Sequence, residues 1–364
     1  MPDFQQPPGL MVSGLLGFCR AGFEKELAAE LDELAAEAGL IGHVRAKPDS
    51  GLVVYETYEP LPAPVFEGLA DWRVPVFVRQ LMLWFARVAD LPERDRATPL
   101  RDAVKATGQR FGALVLETPD TDEAKQRSGF CRRFAEPLAN VLKQASALRP
   151  SKVGLPVLHV VFEDAQTAWL ASALAEESSP WPMGIPRLRM PGGAPSRSTL
   201  KLAEAFMTLL SEEERTVTLR AGLRAVDLGA APGGWTWQLA NRGMHVTAVD
   251  NGPIAESVLA TGMVEHLRVD GFTWRPPRSV EWLVCDMVEQ PSRIAALVAD
   301  WIATGRCRRS IFNLKLPMKR RLDAVAQCRA LIAKRLASVG PFDLRIKHLY
   351  HDRDEVTAYL ALHR

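Results

Sequence analysis

The stretch that decides the fold runs from Ala225 to Gly252, AVDLGAAPGGWTWQLANRGMHVTAVDNG. An apolar run closes on Asp227 and Leu228, glycines follow at 229, 233 and 234, a helical segment opens near Trp235, and a second apolar run ends on Asp250. Short apolar runs separated by a turn and a helix predict parallel strands of an α/β sheet, with the turn at the carboxyl edge where such sheets bind ligands. Glycine belongs in that turn because it adopts left-handed backbone and lets a ligand come close.

The ligand class narrows by elimination. A phosphate loop needs Gly-Lys-Ser/Thr where this chain has Gly-Gly-Trp, and a dinucleotide fingerprint needs GxGxxG where this chain has Gly229-x-x-x-Gly233-Gly234. Asp250 stands 21 positions after Gly229, close to where a carboxylate in such a sheet receives ribose hydroxyls. An adenosine without a pyrophosphate suits the set, and S-adenosylmethionine is such a molecule. Its ribose would meet Asp250, its adenine a pocket reached by Asp270 in LRVDGF, and its methionyl end the glycine turn.

Around this core the pattern continues. STLKLAEAFMTLL predicts a helix with Ser198 as its N-cap, and VEWLVCDM and SIFNLKL predict further strands. DLRIKHLYHDRDEVTAYLALHR reads as two strands joined by a charged turn, an antiparallel hairpin added at the sheet edge. Residues 198–364 are therefore expected to form a mostly parallel, Rossmann-like α/β domain with an antiparallel C-terminal hairpin. Ahead of them, residues 176–197 carry five prolines between 180 and 195, and are expected to be a semi-rigid linker.

The amino-terminal half reads as α+β. GLLGFCR is a strand, FEKELAAELDELAAEAGL a helix ending at Gly39, and GLVVYETY a strand. WRVPVFVRQLMLWFARV is apolar enough to belong to a core or an interdomain contact. KQRSGFCRRFAEPLANVLKQA is an amphipathic helix with Phe130, Phe134 and Leu138 on one face, and PVLHVVFED is a strand. From Arg94 to Lys152 there are twelve Lys or Arg against seven Asp or Glu, whereas the whole 364-residue chain carries a net charge of only +2. This local excess fits either a solvated helical face or a patch for nucleic acid phosphates.

Other classes lose ground on composition. A hydrophobic share of 47% with 24% charged residues is ordinary for a globular chain. The start, MPDFQQPPGLMVSGLLGFCR, has no basic segment ahead of its apolar stretch, and no apolar run approaches about 18 residues, so a cytosolic protein without a membrane span is expected. The five cysteines stand apart with no CxxC pair, which argues against a zinc site and a disulfide framework. His348 and His351 lack further ligand spacing and are assigned to the hairpin turn, so no metal is expected. A monomer is the expected state.

DLGAAPGGWTWQL resembles the D-L-G-x-x-P-G-G-[WF] motif of the FtsJ-like ribose 2′-O-methyltransferases. With APSRSTLKLAEAF, VDNGP, CDMVE, IFNLKLPMK and LYHDRDEVT, the chain is similar to the bacterial 23S ribosomal RNA cytidine 2′-O-methyltransferases of the RlmM family. One departure is that Ala231 precedes Pro232 where a cysteine would also serve. The resemblance implies a ferredoxin-like piece over residues 1–70, a THUMP-like RNA-binding domain over 71–175, and a catalytic domain over 198–364. It implies S-adenosylmethionine held by Ser198, Gly229, Ala231, Pro232, Gly233, Gly234, Trp235, Asp250, Asp270 and Asp286. It also implies a Lys-Asp-Lys-Glu catalytic tetrad at Lys201, Asp286, Lys315 and Glu355, and 23S rRNA, naked or partly assembled, as substrate.

The tetrad would explain why a lysine interrupts the apolar run SIFNLKLPM. An ammonium in an apolar setting costs several kcal/mol unless it is paired or neutral. Two acids could hold Lys315, and Lys201 could repel its proton, so that Lys315 acts as base on a ribose hydroxyl. Two rivals stand beside this reading. A base methyltransferase could use Cys285, although LVCDM lacks a Pro-Cys context, or an exocyclic-amine site, although Asp286-Met287-Val288-Glu289 is not Asn/Asp-Pro-Pro-Tyr. A non-catalytic RNA-binding assembly factor would use the basic half and would have no evident need of the tetrad.

Overall fold

In the computed structural model, which describes residues 9–150 and 154–363, the glycine turn lies at the end of the first strand of a seven-stranded sheet. The chain divides between Ile185 and Pro186 into two units, each with its own sheet. Lys152 and the first eight residues of the expected leaderless start lie outside the described residues.

The first unit opens with β1 (Met11–Phe18), α1 (Glu24–Glu37), β2 (Gly42–Ala46) and β3 (Leu52–Pro62). It continues through β4 (Gln80–Val88), α2 (Ala97–Ala106), β5 (Ala113–Glu117), α3 (Asp122–Gln144), β6 (Val157–Phe162) and β7 (Ala168–Ala173). Helix α1 packs Leu27, Leu31 and Ala35 inward, four residues apart along one face. The order β2-β3-β1-β4-β7-β6-β5 is one continuous sheet, because β4 pairs with β1 on one side and β7 on the other. The apolar run before Val88 thus supplies a central strand shared by the two stretches read as separate pieces, which is why it is apolar on both faces.

The expected linker divides as well. Ser179 and Ile185 are buried, and Gly184 (φ 69°) lies so near the Arg79 carbonyl that an added Cβ would come within 2.0 Å of its oxygen. Proline density therefore marks a packed irregular segment up to Ile185, and residues from Pro186 group with the second unit.

The second unit contains α4 (Ser198–Leu209), α5 (Glu212–Thr218), β8 (Arg224–Leu228), α6 (Gly234–Ala240), β9 (His245–Val249), α7 (Glu256–Leu259) and β10 (Val264–Leu267). These are followed by β11 (Val280–Cys285), α8 (Pro291–Ala303), β12 (Cys307–Lys315), α9 (Arg321–Leu336), β13 (Phe342–Lys347) and β14 (Glu355–Leu362). Strands β10, β9, β8, β11 and β12 are parallel in that order, β14 runs antiparallel to β12, and β13 is the antiparallel edge. This is the Rossmann-like sheet with a terminal hairpin that the alternation predicts. The order reverses between β8 and β11, the switch point beyond whose carboxyl strand ends sheets of this kind bind ligands.

Ser198 is not the N-cap of α4. Arg197 holds that place in helical geometry with no side-chain cap, and Ser198 is the first helical residue, its hydroxyl 2.8 Å from that of Ser196. The Ser-Arg-Ser run carries two hydroxyls, and composition does not tell which lies at the boundary.

Candidate active site

The parallel strands deliver the residues at or just past their carboxyl ends to one edge, and the antiparallel β14 delivers its first residue there. Gly229 follows β8 with φ 78°, and a Cβ there would sit 2.7 Å from Met287 Cγ and 3.0 Å from the Met287 backbone. The ends of β8 and β11 are therefore as close as backbones allow, and only glycine fits. Gly233 (φ 111°) precedes α6, and a Cβ on Gly234 would come within 2.2 Å of Ser198 Oγ. The Ala231–Pro232 peptide is cis. These glycines let the turn pack tightly against Met287, Val258 and the start of α4, where any side chain would clash.

Around the turn, Asp250 accepts the Ala231 N–H at 3.0 Å on one oxygen and the Gly252 N–H at 2.7 Å on the other, tying the end of β9 to it. Each oxygen keeps a lone pair beyond these bonds. Asp270 is exposed and accepts the Phe272 N–H at 2.8 Å. Trp235 packs in the core with Leu202, Phe206 and Trp282, so only its backbone faces the turn. Beneath the turn, Asp227 is fully buried and accepts the Thr236 hydroxyl at 2.6 Å. Burial pushes its carboxyl up to about 7, opposed by the Thr236 hydrogen bonds and aided by the charges of Asp286 and Asp250.

The four residues read as a tetrad meet at one point. Lys201 Nζ donates to Glu355 Oε1 at 2.6 Å and lies 3.5 Å from Asp286 Oδ2. Lys315 Nζ donates to Asp286 Oδ1 at 2.9 Å and lies 3.6 Å from Glu355 Oε2. Each ammonium is thus bracketed by both carboxylates. The two lysines differ in setting, because the Lys201 side chain is 8% exposed and that of Lys315 is 25% exposed. Burial alone would lower the Lys201 pKa, but Asp286, Asp352 and Glu355 outweigh it and hold Lys201 above the ordinary lysine range.

Local structure explains the meeting. Lys315 stands opposite Glu355, and Asn313 opposite Thr357, in the antiparallel β12–β14 ladder. Side chains two apart on a strand share a face, so both pairs lie in one row with Ile311 and Tyr359, which pack against Leu202 and Phe206 of α4. The row runs from apolar core through neutral polar groups to the charged cluster. Helix α4 brings Lys201 onto it, and Glu204, one turn on, accepts the Tyr350 and His351 N–H groups at 2.7 and 3.0 Å to hold the β13–β14 turn. His351 Nδ1 also contacts Glu204, and His348 Nε2 lies 3.0 Å from the Arg353 carbonyl, so both histidines serve that turn.

Fold and site together define an S-adenosylmethionine-dependent methyltransferase of the FtsJ-like class, and the FtsJ-like methyltransferase family matches residues 194–329. The RlmM ferredoxin-like domain matches residues 12–82, and the N-terminal domain of ribosomal RNA large subunit methyltransferase M matches 95–174. The chain is 72% identical to the ribosomal RNA large subunit methyltransferase M of Thauera aminoaromatica, with 98% of both chains covered. It is 72% identical to that of Azoarcus sp. strain BH72 over 96% of each, and 50% identical to that of Methylococcus capsulatus over 96% of this chain and 98% of the relative. The chain belongs to the ribosomal RNA large subunit methyltransferase M family.

Sequence reasoning passed over Asn313, Thr357, Asp352 and Asp227, all fully buried. A usable signal existed for two of them: period-two alternation puts Asn313 on the face of Lys315 and Thr357 on the face of Glu355.

Proposed function

We propose that this chain methylates a ribose 2′-hydroxyl of a cytidine in 23S ribosomal RNA, with Lys201, Asp286, Lys315 and Glu355 as its catalytic tetrad. When bound, S-adenosylmethionine supplies an electrophilic methyl group; the turn from Gly229 to Trp235, with Ser198, Asp250, Asp270 and Asp286, would hold it. The observation that carries the reading is the mutual contact of two ammonium and two carboxylate groups beside the switch point. A ribose hydroxyl needs a base, and the two lysines differ in fitness for it. Lys201, buried and held protonated by Asp286 and Glu355, is an orienting cation. Lys315, the more exposed of the two, would in its neutral form accept the hydroxyl proton on Nζ, while Lys201 and Asp286 orient the ribose.

The RNA class comes from the relatives' names, which speak of the large ribosomal subunit. The first unit, with the excess of basic residues between Arg94 and Lys152, would bind that RNA through a ferredoxin-like piece (1–70) and a THUMP-like piece (71–175). Among the described residues no helix is long and apolar enough to cross a membrane, and a monomer working in the cytosol fits an rRNA substrate.

Cysteine-based C5 methylation fits poorly. Cys285 is fully buried, and burial pushes its thiol up to about 12, which leaves almost no thiolate at neutral pH. Alkaline hydrolysis of methylated RNA, followed by mass mapping, tests the proposal. A hydrolysis-resistant dinucleotide containing cytidine is expected, and a methylated mononucleotide cleaved normally would overturn it.

A further inference from the structure

A chain of buried hydrogen bonds runs behind the charged cluster, and none of its members touches the reacting atoms. Asn313 Nδ2 donates to Asp286 Oδ1 at 2.7 Å, the same oxygen that receives Lys315. Thr357 Oγ1 lies 2.8 Å from Asn313 Oδ1, and 3.1 and 3.0 Å from the two oxygens of Asp352. Asn313, Thr357 and Asp352 are all 0% exposed, the first two on the β12–β14 face and Asp352 in the turn before β14.

The proton count along this chain is constrained. The Asp286 carboxylate only accepts, so the Asn313 amide must present its N–H to it and its carbonyl oxygen to Thr357. That carbonyl needs a donor, and the threonine hydroxyl has one proton to give. Once it is given to Asn313, the Thr357–Asp352 contacts would set lone pair against lone pair unless Asp352 brings a proton of its own. Among the groups facing Asp352 are Lys201 and Glu204 of α4, Glu355 of β14, and the Leu349 N–H, which it accepts at 2.9 Å. Burial raises its pKa well above the ordinary carboxylate range, opposed by Lys201 and aided by Glu355 and Glu204. A neutral Asp352 also leaves the two lysines matched one to one by Asp286 and Glu355.

We propose that Asp352, protonated, donates to Thr357, which donates to Asn313, which donates to Asp286, and that this one-way relay positions the Asp286 carboxylate between Lys201 and Lys315. All three are positioning residues, and the inference rests on the tetrad reading. Freed of Asn313, the Asp286 carboxylate could rotate to pair with one lysine alone, and Lys315 would lose the contact that aims it at the ribose.

The test compares Thr357→Val, which keeps shape and removes the hydroxyl, with Thr357→Ser, which restores it, and Asp352→Asn, whose amide can donate as a protonated acid does. Lys315→Ala is run in parallel. Rates are measured under single turnover on an rRNA transcript, and affinity for S-adenosylhomocysteine is measured by calorimetry. Thr357→Val is expected to lower kcat more than tenfold, with KM for RNA and cofactor affinity within twofold of the parent. Thr357→Ser and Asp352→Asn are expected within threefold of the parent rate. Should Thr357→Val not fold, Asn313→Ala, which also removes only neutral groups, is expected to show the same kcat-selective loss.

The protonation state is read directly from the infrared difference between the parent and Asp352→Asn at neutral pH, where the band lost should be that of a protonated carboxylic acid. An inactive Lys315→Ala beside a fully active Thr357→Val overturns the relay while sparing the tetrad. An active Lys315→Ala overturns the tetrad itself. Loss of an ionised carboxylate band overturns the assignment of the proton to Asp352.

Discussion

Replacing the two lysines of the cluster separately should give two different kinds of damage, because their settings differ. Lys315 is 25% exposed and its ion pairs with Asp286 and Glu355 are partly wetted. Such pairs contribute about 0–1 kcal/mol to stability, so Lys315→Ala should shift Tm by no more than about 4 °C. Its effect falls on the rate, since loss of a general base costs about 10²–10⁴-fold, equivalent to about 3–5 kcal/mol of barrier. Lys201, 8% exposed, is the cation that the Asp286 and Glu355 carboxylates bracket. Lys201→Met leaves their charge without its buried counter-ion, a change that costs about 3–5 kcal/mol and so lowers Tm by roughly 6–20 °C. The assay is single-turnover transfer of a labelled methyl group to an rRNA transcript, beside scanning calorimetry and cofactor titration. Lys315→Ala should bind cofactor normally, melt normally and fail to transfer. If it transfers within about tenfold of the parent, or if both variants melt alike, the division of labour between the lysines is wrong.

Three further outcomes follow from the geometry. The Asp227 carboxyl, pushed up to about 7 by burial, keeps a proton in the folded chain that the unfolded chain releases near about 4. Its contribution to stability is therefore present at acid pH and lost as pH rises through about 7; Asp227→Asn, which cannot ionise and keeps an acceptor for Thr236, should show a flatter Tm–pH profile between pH about 5 and 8, and equal slopes would count against it. Gly229→Ala forces a left-handed alanine at φ 78° with its Cβ 2.7 Å from Met287 Cγ. It should lose more than about tenfold in S-adenosylhomocysteine affinity and lower Tm as well, because left-handed backbone alone costs an alanine about 1–2 kcal/mol; calorimetry showing parent-like affinity would exclude a tight cradle. Arg132 and Arg133 are exposed on α3. If they contact phosphates, reversing both charges should reduce the slope of log K against log salt for RNA binding by up to about 2, with kcat unchanged at saturating RNA; an unchanged slope would place the RNA elsewhere.

The amino-acid order by itself determined the parallel sheet, the glycine turn and the terminal hairpin. These depend on local quantities: the spacing of apolar residues, the backbone freedom of glycine at 229 and 233, and the alternation along β12 and β14. Short segments were less legible. Strands β2, β5 and β7 and helix α2 have five to ten residues each, and their identity as sheet members comes from partners far away in the chain. The same is true of the apolar run WRVPVFVRQLMLWFARV, which reads as core material and whose place as a central strand is set by its pairing with β1 and β7.

Within the site, the sequence marked Lys201, Asp286, Lys315 and Glu355 through resemblance and through the oddity of a lysine among apolar neighbours. It could not say that Lys201 would be the buried cation and Lys315 the more open one. That difference arises because α4 packs over the β12–β14 ladder, and desolvation depends on what lies above a side chain in space, a quantity with no trace in its sequence neighbours. Asn313 and Thr357 are 44 positions apart and hydrogen-bond only because the antiparallel register sets them opposite each other. Alternation assigns a residue to a face of its own strand, whereas register and helix docking choose its partner, and the charge balance of this site depends on that choice.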